Sequence, residues 1–263
     1  MNDILIAFLM ALAAGLSTGI GSALALLSKS SNPKVMSLTL GFSAGVMVYV
    51  SMTEIIAKAT LSLTSAMGQP LGNILAVLSF FGGILFIALI GKLVPAFEGK
   101  RAERKIKSYT RARGGLWRTG LFSAFAIALH NFPEGMATFI SALKDPGIAL
   151  PIVLAIAIHN IPEGIAVAAP VYRATNSRKT AFFISFFSGL TEPLGALFCW
   201  LLLMPIMSDT VFGIVFAASA GIMVYICIDE LLPLAEEQKM HERAVLGFVL
   251  GMALMALSLI LFL

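Results

Sequence analysis

Residues 71–92 read LGNILAVLSFFGGILFIALIGK, an apolar stretch with no charged side chain before Lys92. Its length matches the about 20 residues that an α-helix needs to cross the ~30 Å hydrocarbon core of a bilayer. The runs at 74–78 and 84–90 lack the alternation at every second position that strands of a membrane barrel require. The stretch therefore predicts a transmembrane helix.

The composition of the whole chain agrees with a membrane location. Of 263 residues, 59% are hydrophobic and 12% are charged, against about 25% charged residues in soluble domains. This composition excludes a water-soluble globule. We predict an all-α membrane protein, one transmembrane domain over 1–263, with eight transmembrane helices at about 4–27, 36–57, 71–92, 120–142, 148–170, 181–203, 210–232 and 244–263.

Basic residues are distributed unevenly between the two sides of the membrane. Apart from Lys58 and Lys144, every lysine and arginine lies at the first, third, fifth or seventh loop. By the positive-inside rule these loops are cytoplasmic, so both termini lie outside the cytoplasm. The third loop, 99–119, is strongly basic. Orientation and attraction to anionic lipids explain this charge, so we expect membrane lipids and no nucleic acid as partners.

Two segments of the chain repeat each other. SAGVMVYVSMTEII at 43–56 aligns without gaps on SAGIMVYICIDELL at 219–232, with half of the positions identical. A weaker match joins 15–17 (GLS) to 189–191 (GLT). Spans one to three therefore resemble spans six to eight, and the two copies cross the membrane in opposite directions. Inverted repeats of this kind are typical of secondary transporters.

The central pair of spans carries a second repeat, because HNFPEG at 130–135 matches HNIPEG at 159–164. We predict a 3+2+3 arrangement, with repeat one at about 4–92, a central helix pair at about 120–170 and repeat two at about 181–263. In each motif histidine and glutamate stand four residues apart, on one helix face. The proline removes a backbone donor, which predicts a locally irregular helix at the motif.

Several polar residues share one depth in the predicted bilayer. His130, His159, Met47 and Glu192 fall near the centres of their spans, and Glu134 and Glu163 lie one turn away. Three buried carboxylates without a lysine or arginine near the midplane require a cationic partner, either a metal ion or their own protons. Imidazole, carboxylate and amide groups suit Zn²⁺, Fe²⁺ and Mn²⁺, and the scarcity of sulfur argues against Cu(I).

On these motifs the sequence resembles the ZIP family of divalent-metal transporters, in its bacterial branch, over all eight spans. The resemblance implies uptake of Zn²⁺, with Fe²⁺, Mn²⁺, Cd²⁺ and Co²⁺ as further substrates, across the bacterial inner membrane. It implies no cofactor, no enzymatic activity and a sliding movement of one helix group against another, and it leaves a homodimer open. It also implies a two-metal centre formed by His130, Asn131, Glu134, His159, Asn160, Glu163 and Glu192, with Met47 as a thioether ligand.

Some features fit the centre less directly. Met47 is a ligand or a packing residue, since its repeat counterpart Met223 has no assigned role. The family's histidine-rich third loop is absent, which argues against metal sensing there. We interpret the remaining candidates as carboxylates at the mouths of the pathway or solvated helix ends (Glu54, Asp229 and Glu230), a surface histidine (His241) and packing cysteines (Cys199 and Cys227).

Two other functions compete with alternating-access transport. A selective pore could use the same ligands, and it would show uptake that follows voltage without saturating. A membrane metalloprotease would need an HExxH motif, which is absent, and a di-iron enzyme usually needs more than the three histidines present.

Overall fold

The computed structural model describes residues 2–27, 33–98, 108–144, 146–203, 208–236 and 240–262. Within these ranges the chain is almost wholly helical and contains no strand, so the predicted all-α class is confirmed. Each predicted span lies within one of these helices, apart from the last residue of the eighth span. The eight helices are α1 (Asn2–Leu27), α2 (33–67), α3 (Leu71–Glu98), α4 (Ser108–Lys144), α5 (Pro146–Thr175), α6 (178–203), α7 (209–236) and α8 (His241–Phe262).

The outer surface of the bundle is apolar. Large hydrophobic side chains are exposed along α3 and α8, among them Leu78, Phe81, Leu257 and Ile260. An apolar surface of this extent is not tolerated in water and requires lipid around it. In the described part of the chain, α1, α2, α3, α6, α7 and α8 each contain a stretch long and apolar enough to cross a membrane. The chain is a multi-pass membrane protein.

The helices pack in pairs that correspond under the sequence repeat. Helix α1 packs against α5 and α6 packs against α4; α2 packs against α8 and α7 packs against α3. The sequence repeat relates α1, α2 and α3 to α6, α7 and α8, and α4 to α5. The packing of α1 on α5 therefore corresponds to that of α6 on α4, and the packing of α2 on α8 corresponds to that of α7 on α3. Helix α4 also packs against α5, and contacts between α2 and α5 and between α4 and α7 join the parts of the bundle.

Glycines allow the paired helices to approach at backbone distance. A side chain at Gly45 would collide with the Phe248 carbonyl, and one at Gly221 with the Phe80 carbonyl. Gly45 and Gly221 occupy the same position of the repeated segment. Small residues at such seams are the usual means by which membrane helices gain close van der Waals contact.

Helices α2 and α7 each contain one π-helical segment. In α2 the segment is Ser51–Ile55, closed by a bond from the Ile56 amide to the Ser51 carbonyl. In α7 it is Cys227–Leu231, closed by the equivalent bond from Leu232 to Cys227. The two segments fall on the same positions of the repeat. π-Helical turns are rare and occur frequently at functional sites.

Two helices extend well beyond their predicted spans. Helix α2 continues to Met67, ten residues past the predicted end at 57, and stops at Gly68 with φ +73°. Helix α4 begins at Ser108, so part of the predicted loop 99–119 is helical, while 99–107 lie outside the described residues. At 1.5 Å per residue, its 37 residues span about 55 Å, well beyond the bilayer core. Once a helix is nucleated, extension costs little, so helix ends need not follow the hydrophobic boundary.

Candidate metal centre

The two HNxPEG motifs lie within continuous α-helix, so the predicted irregularity at their prolines is wrong. Pro133 lies inside α4, and α5 is likewise α-helical through Pro162. The glycine of each motif allows another helix to approach closely. A side chain at Gly135 would collide with the Glu192 carbonyl of α6, and one at Gly164 with the Thr18 carbonyl of α1. The motif glycines therefore let α6 and α1 lie directly on the motif helices.

The irregularity lies instead in α6, beside Glu192. One helical segment ends at Gly189 and the next begins at Thr191, with Leu190 between them. Pro193 has no amide hydrogen and cannot donate to the Gly189 carbonyl, which faces Gly15 of α1. Glu192 thus sits in the first turn of a new helical segment and is fully buried. Amide groups in a first turn favour a negative charge.

His130 brings two of the predicted carboxylates together. Its Nε2 lies 3.3 Å from a carboxylate oxygen of Glu134 and 3.7 Å from one of Glu163. All three side chains are nearly or completely buried. Glu134 is on the same helix one turn away, whereas Glu163 reaches across from α5. One imidazole nitrogen therefore joins the acidic groups of the two motifs.

Asn160 joins the centre to α1 and α6. Its Nδ2 donates to the Glu192 carboxylate at 2.8 Å and to the Ala14 carbonyl at 3.0 Å. Its Oδ1 is buried, with no hydrogen-bond partner among the described residues. The third predicted carboxylate is therefore held beside the α5 motif, and a free amide oxygen is available to a cation.

Asn131 occupies the equivalent position on α4. Its Nδ2 lies 3.4 Å from the Ser188 carbonyl of α6. With the amide rotated by 180°, the nitrogen donates instead to Glu163 at 3.1 Å and to the Ile127 carbonyl at 3.2 Å. In both orientations Asn131 is fully buried beside groups of the centre.

Met47 lies on α2, fully buried. One turn before it, the Ser43 hydroxyl donates to the Pro162 carbonyl at 2.8 Å, so α2 lies against the α5 motif. One turn after it, the Ser51 hydroxyl donates to the Met47 carbonyl at 2.6 Å and contacts the Met223 sulfur at 3.2 Å. Met47 and its repeat counterpart are therefore close to each other in the core.

The described side chains do not by themselves form a finished metal site. No group of three or more His, Cys, Asp or Glu side chains among them is arranged to hold a metal ion. The carboxylates of Glu134 and Glu163 both approach Nε2 of His130, so the imidazole itself lies where they converge. The side chain of His159, the remaining predicted imidazole ligand, lies outside the described residues.

The secondary candidates fall into three groups. Glu54 forms an ion pair with Lys58 at 2.6 Å, a partner that the sequence analysis did not assign to it. His241 is exposed, as predicted for a surface histidine, and lies 2.8 Å from Glu236. Cys199 and Cys227 are free, buried and packed among apolar side chains.

Sequence reasoning missed the buried hydroxyl groups around the motifs. Ser22 of α1 donates to Ser185 of α6 at 2.6 Å, and Ser185 donates to the Gly164 carbonyl at 3.0 Å. Thr18, one turn before Ser22, is buried without a hydrogen-bond partner among the described residues. Single serines and threonines are common in membrane helices, so only the repeat could have drawn attention to them.

A membrane bundle that buries three carboxylates, an imidazole and two amides is typical of proteins that carry ions across the membrane, because ionisable groups inside a membrane mark ion pathways. The model of the ZIP zinc transporter family matches residues 98–259. The chain is 56% identical to the zinc transporter ZupT of Streptococcus mutans, over 97% of both chains. It is 54% identical to the proteins of that name from Chlorobium chlorochromatii, over 99% of both chains, and Chlorobaculum parvum, over 100% of this chain and 99% of the relative.

The chain therefore belongs to the ZIP family, which confirms the predicted resemblance, and it is a divalent-metal transporter rather than an enzyme.

Proposed function

We propose that this transporter carries Zn²⁺ into the cytoplasm across the inner membrane of a bacterium, with both termini outside the cytoplasm. The relatives named above are zinc transporters, and the N/O donor set suits Zn²⁺. The same donor set also accepts Fe²⁺, Mn²⁺, Cd²⁺ and Co²⁺, which we propose as further substrates.

The observation that carries the proposal is the meeting of Glu134 and Glu163 at one nitrogen of His130. Carboxylates from two helices at this depth repel each other unless a cation or protons lie between them. A divalent ion supplies that charge, and a second ion is accommodated when both carboxylates bridge. The eight proposed ligands are His130, Asn131, Glu134, His159, Asn160, Glu163, Glu192 and Met47.

We propose in addition that the helices form the 3+2+3 inverted repeat. The contact of Gly135 with the Glu192 backbone has a counterpart in the contact of Gly164 with the Thr18 backbone. Gly15 and Gly189, which are equivalent in the repeat, face each other across α1 and α6. A contact between equivalent residues lies on a two-fold axis, which supports an axis through the centre. The proposed sliding of one helix group against another would carry the ions between the two sides.

The test of this function is uptake into liposomes that contain the purified protein, with a panel of divalent cations and a range of pH. We expect saturable Zn²⁺ uptake, with competition from Fe²⁺, Mn²⁺, Cd²⁺ and Co²⁺. Uptake that rises linearly with concentration and follows voltage would support a pore instead. Absence of uptake of every cation in the panel would contradict the proposal.

The amides of Asn131 and Asn160 are expected to matter less than the carboxylates. Asn160→Ala should lower Zn²⁺ uptake about tenfold, because a neutral amide compensates no charge but positions Glu192 at 2.8 Å. Asn131→Ala should have a similar or smaller effect. The measurement is the initial rate against concentration for each variant. Wild-type affinity and metal preference in both variants would contradict a role of the amides at the ion.

Replacement of Met47 by leucine separates ligation from packing. The two side chains have similar volumes, so the buried core around Met47 should remain intact. If the thioether binds the ion, Met47→Leu should shift preference from Cd²⁺ toward Mn²⁺, because sulfur favours the softer ion. Met223→Leu is the matched control on α7. An unchanged preference in Met47→Leu would assign the residue to packing.

A further inference from the structure

Thr18 holds a hydroxyl group that the centre as described does not use. The residue is fully buried, and its Oγ1 has no hydrogen-bond partner among the described residues. Buried polar groups are nearly always paired in folded proteins, by protein groups, water or a bound ligand. A bound ligand is one partner that would satisfy this hydroxyl.

Thr18 and Glu192 occupy the same place in the two repeats. Residues 15–18 (GLST) align with 189–192 (GLTE). The local hydrogen bonds are also the same, since Ser17 donates to the Ala14 carbonyl and Thr191 to the Ser188 carbonyl, both at 2.6 Å. The hydroxyl before each position thus makes the same bond, although α1 is continuous at Thr18 while α6 begins a new segment at Thr191, and one side chain is neutral and the other is acidic.

The surroundings of the two side chains correspond as well. A side chain built at Gly189 would lie 2.6 Å from Cβ of Thr18 and 2.7 Å from its hydroxyl. A side chain built at Gly15, the equivalent glycine, would lie 3.3 Å from Cβ of Glu192. The backbone of Thr18 packs on Gly164 of one motif, and that of Glu192 packs on Gly135 of the other. Thr18 therefore has the same relation to the α5 motif that Glu192 has to the α4 motif.

The Thr18 hydroxyl faces the segment of α6 that contacts one of the proposed ligands. It borders Gly189, and the adjacent Ser188 carbonyl lies 3.4 Å from Nδ2 of Asn131. On the other side of the axis, Glu192 accepts a hydrogen bond from Asn160. Each asparagine of the centre thus lies close to one member of the Thr18 and Glu192 pair.

We propose that the Thr18 hydroxyl binds the transported ion from α1, as the neutral counterpart of Glu192 on α6. The proposal rests on the function proposed above. Glu134, Glu163 and Glu192 bring three negative charges to ions that carry two positive charges each. A fourth carboxylate would hold the ions more firmly, whereas transport requires binding weak enough to allow release. A hydroxyl supplies an oxygen ligand without that charge.

The experiment compares Thr18→Val, which removes the oxygen at nearly constant volume, with Thr18→Ser, which keeps it. Zn²⁺ affinity of the purified full-length protein is measured by titration calorimetry and by Zn²⁺-dependent thermal stabilisation. We expect Thr18→Val to bind Zn²⁺ about tenfold more weakly and Thr18→Ser to bind within about twofold of the wild type. Without metal, Thr18→Val should be at least as thermostable as the wild type, because it no longer buries an unpaired hydroxyl.

A third variant, Thr18→Asp, supplies the carboxylate that the repeat lacks on α1. We expect it to bind Zn²⁺ at least about tenfold more tightly and to lower the maximal rate of uptake into liposomes. Wild-type affinity in Thr18→Val, or equal loss in Thr18→Val and Thr18→Ser, would overturn the proposal and assign Thr18 to packing. Glu163→Gln is measured in parallel, and its failure to weaken Zn²⁺ binding would contradict the proposed centre itself rather than Thr18 alone.

Discussion

We expect that replacing Glu163 by alanine abolishes Zn²⁺ uptake while the protein still inserts into the membrane, and that Glu134→Ala has the same effect. Both carboxylates lie near the same nitrogen of His130, so either substitution removes negative charge that would compensate the ion. We expect the uptake rate to fall more than about a hundredfold, because removing a group that only supports a ligand already lowers metal affinity ~10–100-fold. The fold should persist, because removing one acid from a buried acidic cluster relieves repulsion. The measurement is the initial uptake rate in liposomes.

The matched control for this prediction is Glu236→Ala, the same substitution at a glutamate that is 48% exposed. Glu236 is exposed at the end of α7 and contacts His241, so its loss should leave uptake within about twofold of the wild type. Gel filtration in detergent monitors folding of all variants. Wild-type uptake by Glu163→Ala or by Glu134→Ala would remove the proposal that the two carboxylates share the ions.

The second large effect is expected at the glycines on which the centre is assembled. Gly135→Val should prevent α6 from lying against α4, because the added side chain collides with the Glu192 carbonyl. Overpacking of a tight core typically costs ~1–3 kcal/mol, and a clash with backbone cannot be relieved by a side-chain rotation. Glu192 would then be displaced from the other ligands. We expect a lower melting temperature in detergent and loss of Zn²⁺ binding, and the same for Gly164→Val.

Gly82→Val provides the comparison for these two variants. Gly82 is also helical, but no atom lies within 4 Å of a side chain built there. The variant should therefore keep both its thermal stability and its uptake. If Gly135→Val and Gly164→Val behaved like Gly82→Val, the close approach of the helices at the motifs would not hold in the membrane.

The helices and most of the proposed centre follow from the sequence because lipid imposes simple constraints. A stretch of about 20 apolar residues has few alternatives to a spanning helix, and carboxylates at mid-depth stand out against it. The HNxPEG spacing then places His130 and Glu134 on one face, and they lie 3.3 Å apart.

Other features depend on contacts between helices that a single sequence does not encode locally. Pro133 and Pro162 suggested irregular helices, yet the break occurs at Leu190, where α6 crosses α1. The role of Gly135 and Gly164 is likewise set by the backbone of other helices packed on them. The partner of Glu54 was predictable in principle, since Lys58 stands four residues later.

The wide turns of α2 and α7 bear on how the molecule arose. A turn closed by a bond to the fifth residue onward holds one residue more than an α-helical turn, as a helix would after the insertion of a single amino acid. Ser51–Ile55 and Cys227–Leu231 fall at matching places in the two copies. If the two segments descend from one ancestral segment, a single insertion made before its duplication accounts for both turns.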